Sequence, residues 1–264
     1  MVNYEQITKS LRQDIIKMIY TAQSGHPGGA CSIIDILAVL YFGKFIQFDA
    51  KKPEWEERDY LILSKGHASA ALYAVLAELS FFKKDELFLF RQVNSLLQGH
   101  PVKKIPGIEV STGSLGQGLS VANGIALGKP EKKVFAILGD GELQEGQVWE
   151  AVMTAYHYKL SNLVAIVDKN NLQIDGSTED LKSLGKLSDK FKSFNWQVFE
   201  IDGHNFTEIE KTLNQAIAVK DKPSVIIANT VKGKGISFME NNVKWHGKAP
   251  NEEEYEQAMQ ELNI

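Results

Sequence analysis

Val134-Phe135-Ala136-Ile137-Leu138-Gly139-Asp140-Gly141 is an apolar run that ends in an acid held between two glycines. So short and continuous a run reads as a strand buried on both faces. The glycines let the backbone turn sharply and approach a neighbour closely. Residues 163–167 form a second such run and end in Asp168-Lys169-Asn170-Asn171; Tyr60-Leu61-Ile62-Leu63 form a third and end in Ser64-Lys65-Gly66-His67. Residues 196–201 and 224–228 add two more. Leu11, Ile15, Met18, Ile19 and Ala22 recur at helical spacing in a first helix that should stop near Ser24. Further helices are expected at about 32–41, 68–79, 119–127, 146–158 and 207–218, with a short one near 85–90 and a surface loop over 44–59. Strands alternating with helices predict an α/β fold of three layers, helix/sheet/helix, around a mostly parallel sheet. No repeat, low-complexity tract or long polar linker divides the chain, so 1–264 is expected to be one domain with an acidic helical tail at about 251–264.

Composition removes several classes of function. The 264 residues are 44% hydrophobic and 23% charged, with a formal net charge of −4. That balance does not suit a basic nucleic-acid-binding domain. There is no apolar signal core and no long apolar run, so no membrane span is expected and a cytoplasmic setting is the default. The single cysteine, Cys31, cannot form an internal disulfide.

Ligands of parallel α/β sheets bind outside the carboxyl ends of the strands. His67, Asp140 and Asn170 each follow a predicted strand, and Gly113, Gly116 and Gly118 precede a predicted helix. Asp140 and Asn170 are thirty positions apart, one strand–helix–strand unit, which can bring both side chains to neighbouring strand ends. Two oxygen ligands and a backbone carbonyl suit a hard cation such as Mg²⁺ or Ca²⁺, with diphosphate oxygens completing its shell. Gly139-Asp140-Gly141 also reads as a plain turn. A nicotinamide enzyme competes, because Asp168 stands where a ribose-binding acid would, although the spacing to Gly146 departs from the dinucleotide fingerprint. A P-loop fails, since Gly128-Lys129-Pro130 lacks the hydroxyl residue. His26, His67, His100 and His246 stand beside glycine in irregular segments, as does His204. They read as surface residues, as a zinc site, or as a polar funnel for a sugar phosphate. On residue type alone, Glu142, Glu145, Glu150, Lys232, Lys234 and Lys244 read as solvated surface and Leu115 as core.

In order along the chain, Ser24-Gly25-His26-Pro27-Gly28, Ser64-Lys65-Gly66-His67-Ala68, Gly99-His100-Pro101, Thr112-Gly113-Ser114-Leu115-Gly116-Gln117-Gly118, Gly139-Asp140-Gly141-Glu142-Leu143-Gln144-Glu145-Gly146, Asp168-Lys169-Asn170-Asn171 and Trp245-His246-Gly247-Lys248-Ala249-Pro250 resemble the blocks of transketolase. The resemblance covers nearly the whole chain and implies the thiamine-diphosphate-binding fold. It implies Asp140, Asn170 and the Leu172 carbonyl as ligands of Mg²⁺, with Ca²⁺ or Mn²⁺ as substitutes. It puts His67, Gly113, Ser114, Leu115, Gly139, Asp140, Gly141, Glu142, Asp168, Asn170 and His246 around the cofactor. His26, His67, His100 and His246 would face the substrate channel, and Glu145 and Glu150 would join cofactor-activating contacts across a subunit interface. The activity implied is transfer of a two-carbon ketol unit from a ketose phosphate to an aldose phosphate. Full transketolases continue into pyrimidine-binding and C-terminal domains, so the resemblance implies a second chain carrying both, in an assembly with two copies of each. 1-Deoxyxylulose-5-phosphate synthases share the fold and the diphosphate motif, but Gly25-His26-Pro27-Gly28 and Lys65-Gly66-His67-Ala68 look more like transketolase. A nicotinamide-dependent dehydrogenase and a non-catalytic subunit that keeps the fold are the other readings.

Overall fold

Successive residues of a strand point to opposite faces of its sheet, and the apolar runs here are continuous enough to fill both. In the computed structural model, which describes residues 2–263, β1 (Tyr60–Leu63), β2 (Val134–Gly139), β3 (Leu163–Lys169), β4 (Gln197–Asp202) and β5 (Ser224–Asn229) form one sheet in the order β1-β2-β3-β5-β4. All neighbouring pairs are parallel. Leu61, Leu63, Phe135, Ile137, Val164, Ile166 and Ile226 enter one core. Their alternates, Tyr60, Ile62, Val134, Ala136, Leu138, Ala165, Val167, Val225 and Ile227, enter the other.

The first core is covered by α1 (Tyr4–Ala22), α2 (Pro27–Phe42) and α3 (Ser69–Glu78). The second lies under α4 (Gln117–Gly128) and α5 (Gly146–His157). After β3 come the short helices α6 (Thr178–Lys182) and α7 (Leu187–Ser193), and Leu187 and Phe191 of α7 join the second core. Between β4 and β5, α8 (Phe206–Ala218) returns to the first core. The tail helix α9 (Glu252–Glu261) starts in a capping box of Asn251 and Glu254. It docks on α1, with Tyr255 stacked on Tyr20 at 4.1 Å; the last residue of the expected tail, Ile264, lies outside the described residues.

The three-layer expectation holds, with a sheet that is wholly parallel. Two details differ. The second helix begins at Pro27, not near Ser32. Proline at the first helical position gives up an N–H that has no partner there in any case, so His26 becomes the N-cap residue and the glycines lie inside the helix. They are needed there: a Cβ on Gly28 would stand 2.8 Å from the Trp245 carbonyl and 2.9 Å from Cγ of Lys232. The second detail is α6 and α7, of five and seven residues, which are too short to show a helical period. Residues 84–89 form a 3-10 turn. Among the described residues no helix is long and apolar enough to cross a membrane.

The glycine-rich segment before α4 is pressed against the end of β1. A Cβ on Gly118 would lie 2.8 Å from Cα of Ser64, which is backbone and cannot yield cheaply. Gly118→Ala should therefore lower stability by about 1–3 kcal/mol through overpacking. A urea titration followed by circular dichroism measures it, and an unshifted midpoint would contradict this account of the contact.

Candidate active site

The carboxyl ends of β1, β2, β3 and β5 meet at one edge, and each strand delivers a charged residue there. β1 leads into Ser64 and Lys65, β2 into Asp140 and Glu142, β3 carries Asp168 as its penultimate residue and is followed by Asn170, and β5 is followed by Thr230 and Lys232. Asp168 has no exposed surface. Lys65 Nζ pairs with its Oδ2, Ser32 Oγ donates to the same oxygen at 2.5 Å, and Thr230 Oγ1 donates to Oδ1. Burial raises the Asp168 pKa, but the Lys65 charge and these donors outweigh it, and the net direction is down. Both oxygens already accept from the protein and neither is exposed, so a ribose hydroxyl cannot reach the acid on which the nicotinamide reading relied.

Glu142 is also buried, contrary to its reading as a solubilising residue. Its Oε1 accepts from Ser64 Oγ and from Gly116 N–H (2.8 Å), and its Oε2 from Gly139 N–H (3.0 Å). It ties the glycine-rich loop to the ends of β1 and β2. Burial pushes its pKa up against those donors.

Asp140 has no lysine on it. Its carboxylate accepts the N–H groups of Gly141 at 2.9 Å and Asn171 at 2.6 Å. Burial, then the nearby Asp168 charge, pushes its pKa up to about 6. Across the same cavity, of about 300 Å³, stand Lys232, Asn170 and the backbone of Leu172, with His67, Leu115, Gly139, Gly141, Glu145 and His246 also on the wall. Lys232 Nζ donates to the Leu172 carbonyl at 3.0 Å and meets Nδ1 of His246 at 2.9 Å. Burial lowers its pKa to about 8, with Lys65 adding to the effect. At 2% exposed, Lys232 is not the surface lysine expected from its residue type, and Leu115 is a half-buried wall residue and not core.

Four of the five histidines beside glycine converge. Ring centroids of His26 lie 5.5 Å from His67, 6.3 Å from His100 and 5.5 Å from His246, and His67 stacks on His246 at 5.4 Å. Gly29 makes room for His67, whose Nε2 would be 3.3 Å from a Cβ there. Gly113, at φ +147°, presses on the His100 ring. Burial first, then neighbouring cations, lowers the pKa of all four: His26 to about 4, His246 to about 3, and His67 and His100 in the same direction. Among the described residues no group of three or more His, Cys, Asp or Glu could hold a metal, so the zinc reading has no ligand set. Ser114, Glu145 and Glu150 are exposed; Glu145 stands at the N-terminal boundary of α5 on the cavity wall without a side-chain capping bond, whereas Glu150 is on α5 and does not line the cavity. His204 bonds elsewhere, to Asp35. Sequence reasoning gave no separate weight to Lys65, Ser32 or Thr230; the lysine's place directly after a buried strand is the signal that could have found it.

The chain matches the family "Transketolase, thiamine diphosphate binding domain" over residues 4–264. It belongs to that family. It is 40% identical over 256 residues to an apulose-4-phosphate transketolase subunit of Phocaeicola vulgatus, covering 96% of this chain and 91% of the relative. It is 43% identical over 243 residues to the 6-deoxy-6-sulfo-D-fructose transketolase subunit SqwG of Clostridium sp. (strain MSTE9), covering 90% and 88%. The crystal structure of transketolase from Campylobacter jejuni superposes with a TM-score of 0.92 at 35% identity, covering 100% of this chain and 44% of that one. The chain is thus the thiamine-diphosphate-binding part of a split-type transketolase, and the family's chemistry is two-carbon ketol transfer through thiamine diphosphate.

The Lys65–Asp168 pair is buried on both sides. Lys65→Met should strand the carboxylate and lower folding stability by about 3–5 kcal/mol. Adding Asp168→Asn should return part of that loss. Chemical denaturation of the two variants tests the pair, and equal stability of Lys65→Met and parent would remove it as the anchor of this edge.

Proposed function

We propose that this chain holds the diphosphate end of thiamine diphosphate at the carboxyl edge of its sheet and, with a second chain, moves a two-carbon ketol unit from a ketose phosphate to an aldose phosphate. The observation that carries the reading is one cavity lined by Asp140, Asn170, Leu172, Lys232, His67 and His246, with His26 and His100 clustered behind the two lining histidines. The side-chain oxygens of Asp140 and Asn170 and the Leu172 carbonyl are hard donors, and the Asp140 carboxylate is buried without a cationic partner bonded to it. They would hold a divalent cation, Mg²⁺ first, which would supply positive charge for a diphosphate. Lys232, His67 and His246 then face the anion, and Gly113, Leu115 and Gly141 give it backbone. When bound, thiamine diphosphate supplies the nucleophilic carbon and the electron sink for breaking the ketose C2–C3 bond.

His26 and His246, lowered to about 4 and about 3, stay neutral at neutral pH, and burial shifts His67 and His100 in the same direction. His26, His67, His100 and His246 can therefore donate an N–H to a sugar hydroxyl or developing oxyanion and pass a proton without adding charge to the cavity. The two subunit relatives are named for different ketoses, so the donor proposed is a ketose class with an anionic end. The partner proposed is the chain with the pyrimidine-binding and C-terminal domains, assembled as two copies of each. Exposed Ile174 and Glu145 at the cavity rim, and exposed Val121, Leu127, Met153 and Tyr156 on α4 and α5, are surfaces that such a partner would cover.

Asp140→Ala should weaken Mg²⁺-dependent binding of thiamine diphosphate at least tenfold while the fold survives. In the parent the same affinity should fall as pH drops through about 6, because the cation needs the ionised carboxylate, by roughly tenfold per pH unit below it. Calorimetric titration from pH 5 to 8 reads both, and a flat profile or an unchanged variant removes Asp140 from the site.

Alone with cofactor and Mg²⁺, the chain should cleave no ketose. Turnover should appear on adding the partner chain, together with a complex of two copies of each in light scattering. Robust turnover by the lone chain would sink the two-chain reading; a complex without turnover would favour a non-catalytic subunit.

A further inference from the structure

The Asp202-Gly203-His204 turn does not line the cavity, yet it is built against the loop that does. Gly203 N–H donates to the Asn229 carbonyl at 2.8 Å, and Asn229 Nδ2 donates to the Ile201 carbonyl at 3.2 Å. A side chain at 203 would not fit, since its Cβ would stand 2.5 Å from Cγ2 of Thr230. The turn is thus pressed against the start of the segment 230–235, and His204 completes the contact. Its Nε2 accepts the Val231 N–H at 2.8 Å. An accepting Nε2 leaves the ring proton on Nδ1, which donates to Asp35 Oδ2 at 2.7 Å.

The same Asp35 oxygen accepts from Nη2 of Arg12 at 2.8 Å, and Arg12 Nε donates to the Lys234 carbonyl at 2.8 Å. Asp35 and Arg12 are 3% and 6% exposed. Two backbone groups of the loop, the Val231 N–H and the Lys234 carbonyl, are therefore gripped by one buried cluster from α1, α2 and the β4–α8 turn. The residue that follows Val231 is Lys232. Its ammonium is bonded to a carbonyl and a histidine and, among the described residues, to no carboxylate. A buried cation so placed gains by moving toward water, so its position has to be imposed through its backbone.

We infer that His204 is a positioning residue which, with Asp35 and Arg12, fixes the 230–235 loop so that Lys232 stands in the cavity against Leu172 and His246. Its consequence for the cofactor rests on the reading of that cavity as the diphosphate site; its consequence for the loop does not.

Two near-isosteres divide the histidine's two bonds. His204→Gln puts an amide oxygen near the Nε2 position and keeps an acceptor for Val231. His204→Asn keeps a donor near the Nδ1 position and loses that acceptor. In the full chain, His204→Asn should speed amide exchange at Val231 about tenfold and weaken Mg²⁺–thiamine diphosphate binding about five- to tenfold, the scale of one lost hydrogen bond. His204→Gln should stay within about twofold of the parent on both measures, even where the two variants share one denaturation midpoint. Parental exchange at Val231 in both variants would overturn the inference. So would equal losses in both that follow the midpoint, the mark of a merely structural role, or a loosened Val231 with unchanged affinity in a chain whose parent binds the cofactor. If the parent binds no thiamine diphosphate, the cavity reading fails, and a Val231 amide loosened in His204→Asn but not in His204→Gln still upholds the positioning role.

Discussion

A carboxylate with no exposed surface costs several kcal/mol unless its charge and lone pairs are met, and Asp168 is such a carboxylate. Its partners come from different layers: Lys65 after β1, Ser32 in α2, Thr230 after β5, and Asn170 two residues onward at 3.4 Å. Each partner is a short step along the chain from a residue that lines the cavity or packs against its lining. Lys65 precedes Gly66-His67, Ser32 follows Gly28 and Gly29 by one helical turn, Thr230 precedes Lys232, and Asn170 precedes Leu172. Satisfying one buried acid therefore sets how α2 approaches the sheet and where three loops leave it.

Asp140 and Lys232 show the complementary case. Asp140 is nearly as buried as Asp168 but has only backbone N–H donors, and its pKa is pushed up to about 6 by burial and by Asp168. Lys232 is pushed down to about 8 by burial and by Lys65. Both charges are carried at a cost within one cavity, and each gains from a ligand that brings the opposite sign. A divalent cation riding on a diphosphate brings both. This local imbalance exists in a chain whose formal charge is −4, which is why overall composition said nothing about the anion site.

The parts of this picture that were legible in the sequence are those with a local cause. Val134 to Leu138 are apolar at every position, and a strand buried on both faces needs that, so the sheet and its parallel sense could be read. Asp140 and Asn170 could be paired because adjacent parallel strands are one crossover apart, and β2 and β3 are neighbours in register. Lys232 could not be read. Nothing within several residues distinguishes it from the exposed lysines, and its burial is decided by Gly28, Leu172 and His246, which lie on other segments. Residue type alone misread Glu142 as surface for the same reason, since its donors Ser64 and Gly116 lie on other elements. The start of α2 was misplaced because glycine and proline were weighed as helix breakers, whereas the close approach of Lys232 and His67 requires a helix without side chains there.

The geometry also bears on why such a site can be divided between two chains. Three groups that hold the edge in shape lie within this chain: the Asp168 cluster, the Glu142 clamp on the glycine-rich loop, and the Asp35–Arg12–His204 grip on the loop after β5. None of those bonds waits for a partner, so the edge can be pre-shaped when the other half is absent. What the edge lacks is a cover, since Ile174 is 66% exposed at the rim and Glu145 is exposed beside it. Neutral histidines and a lysine without a carboxylate act most strongly in a dry cavity, where the effective dielectric is low. On the proposed reading, the first chain supplies shape and the second supplies dryness, and activity depends on the two meeting.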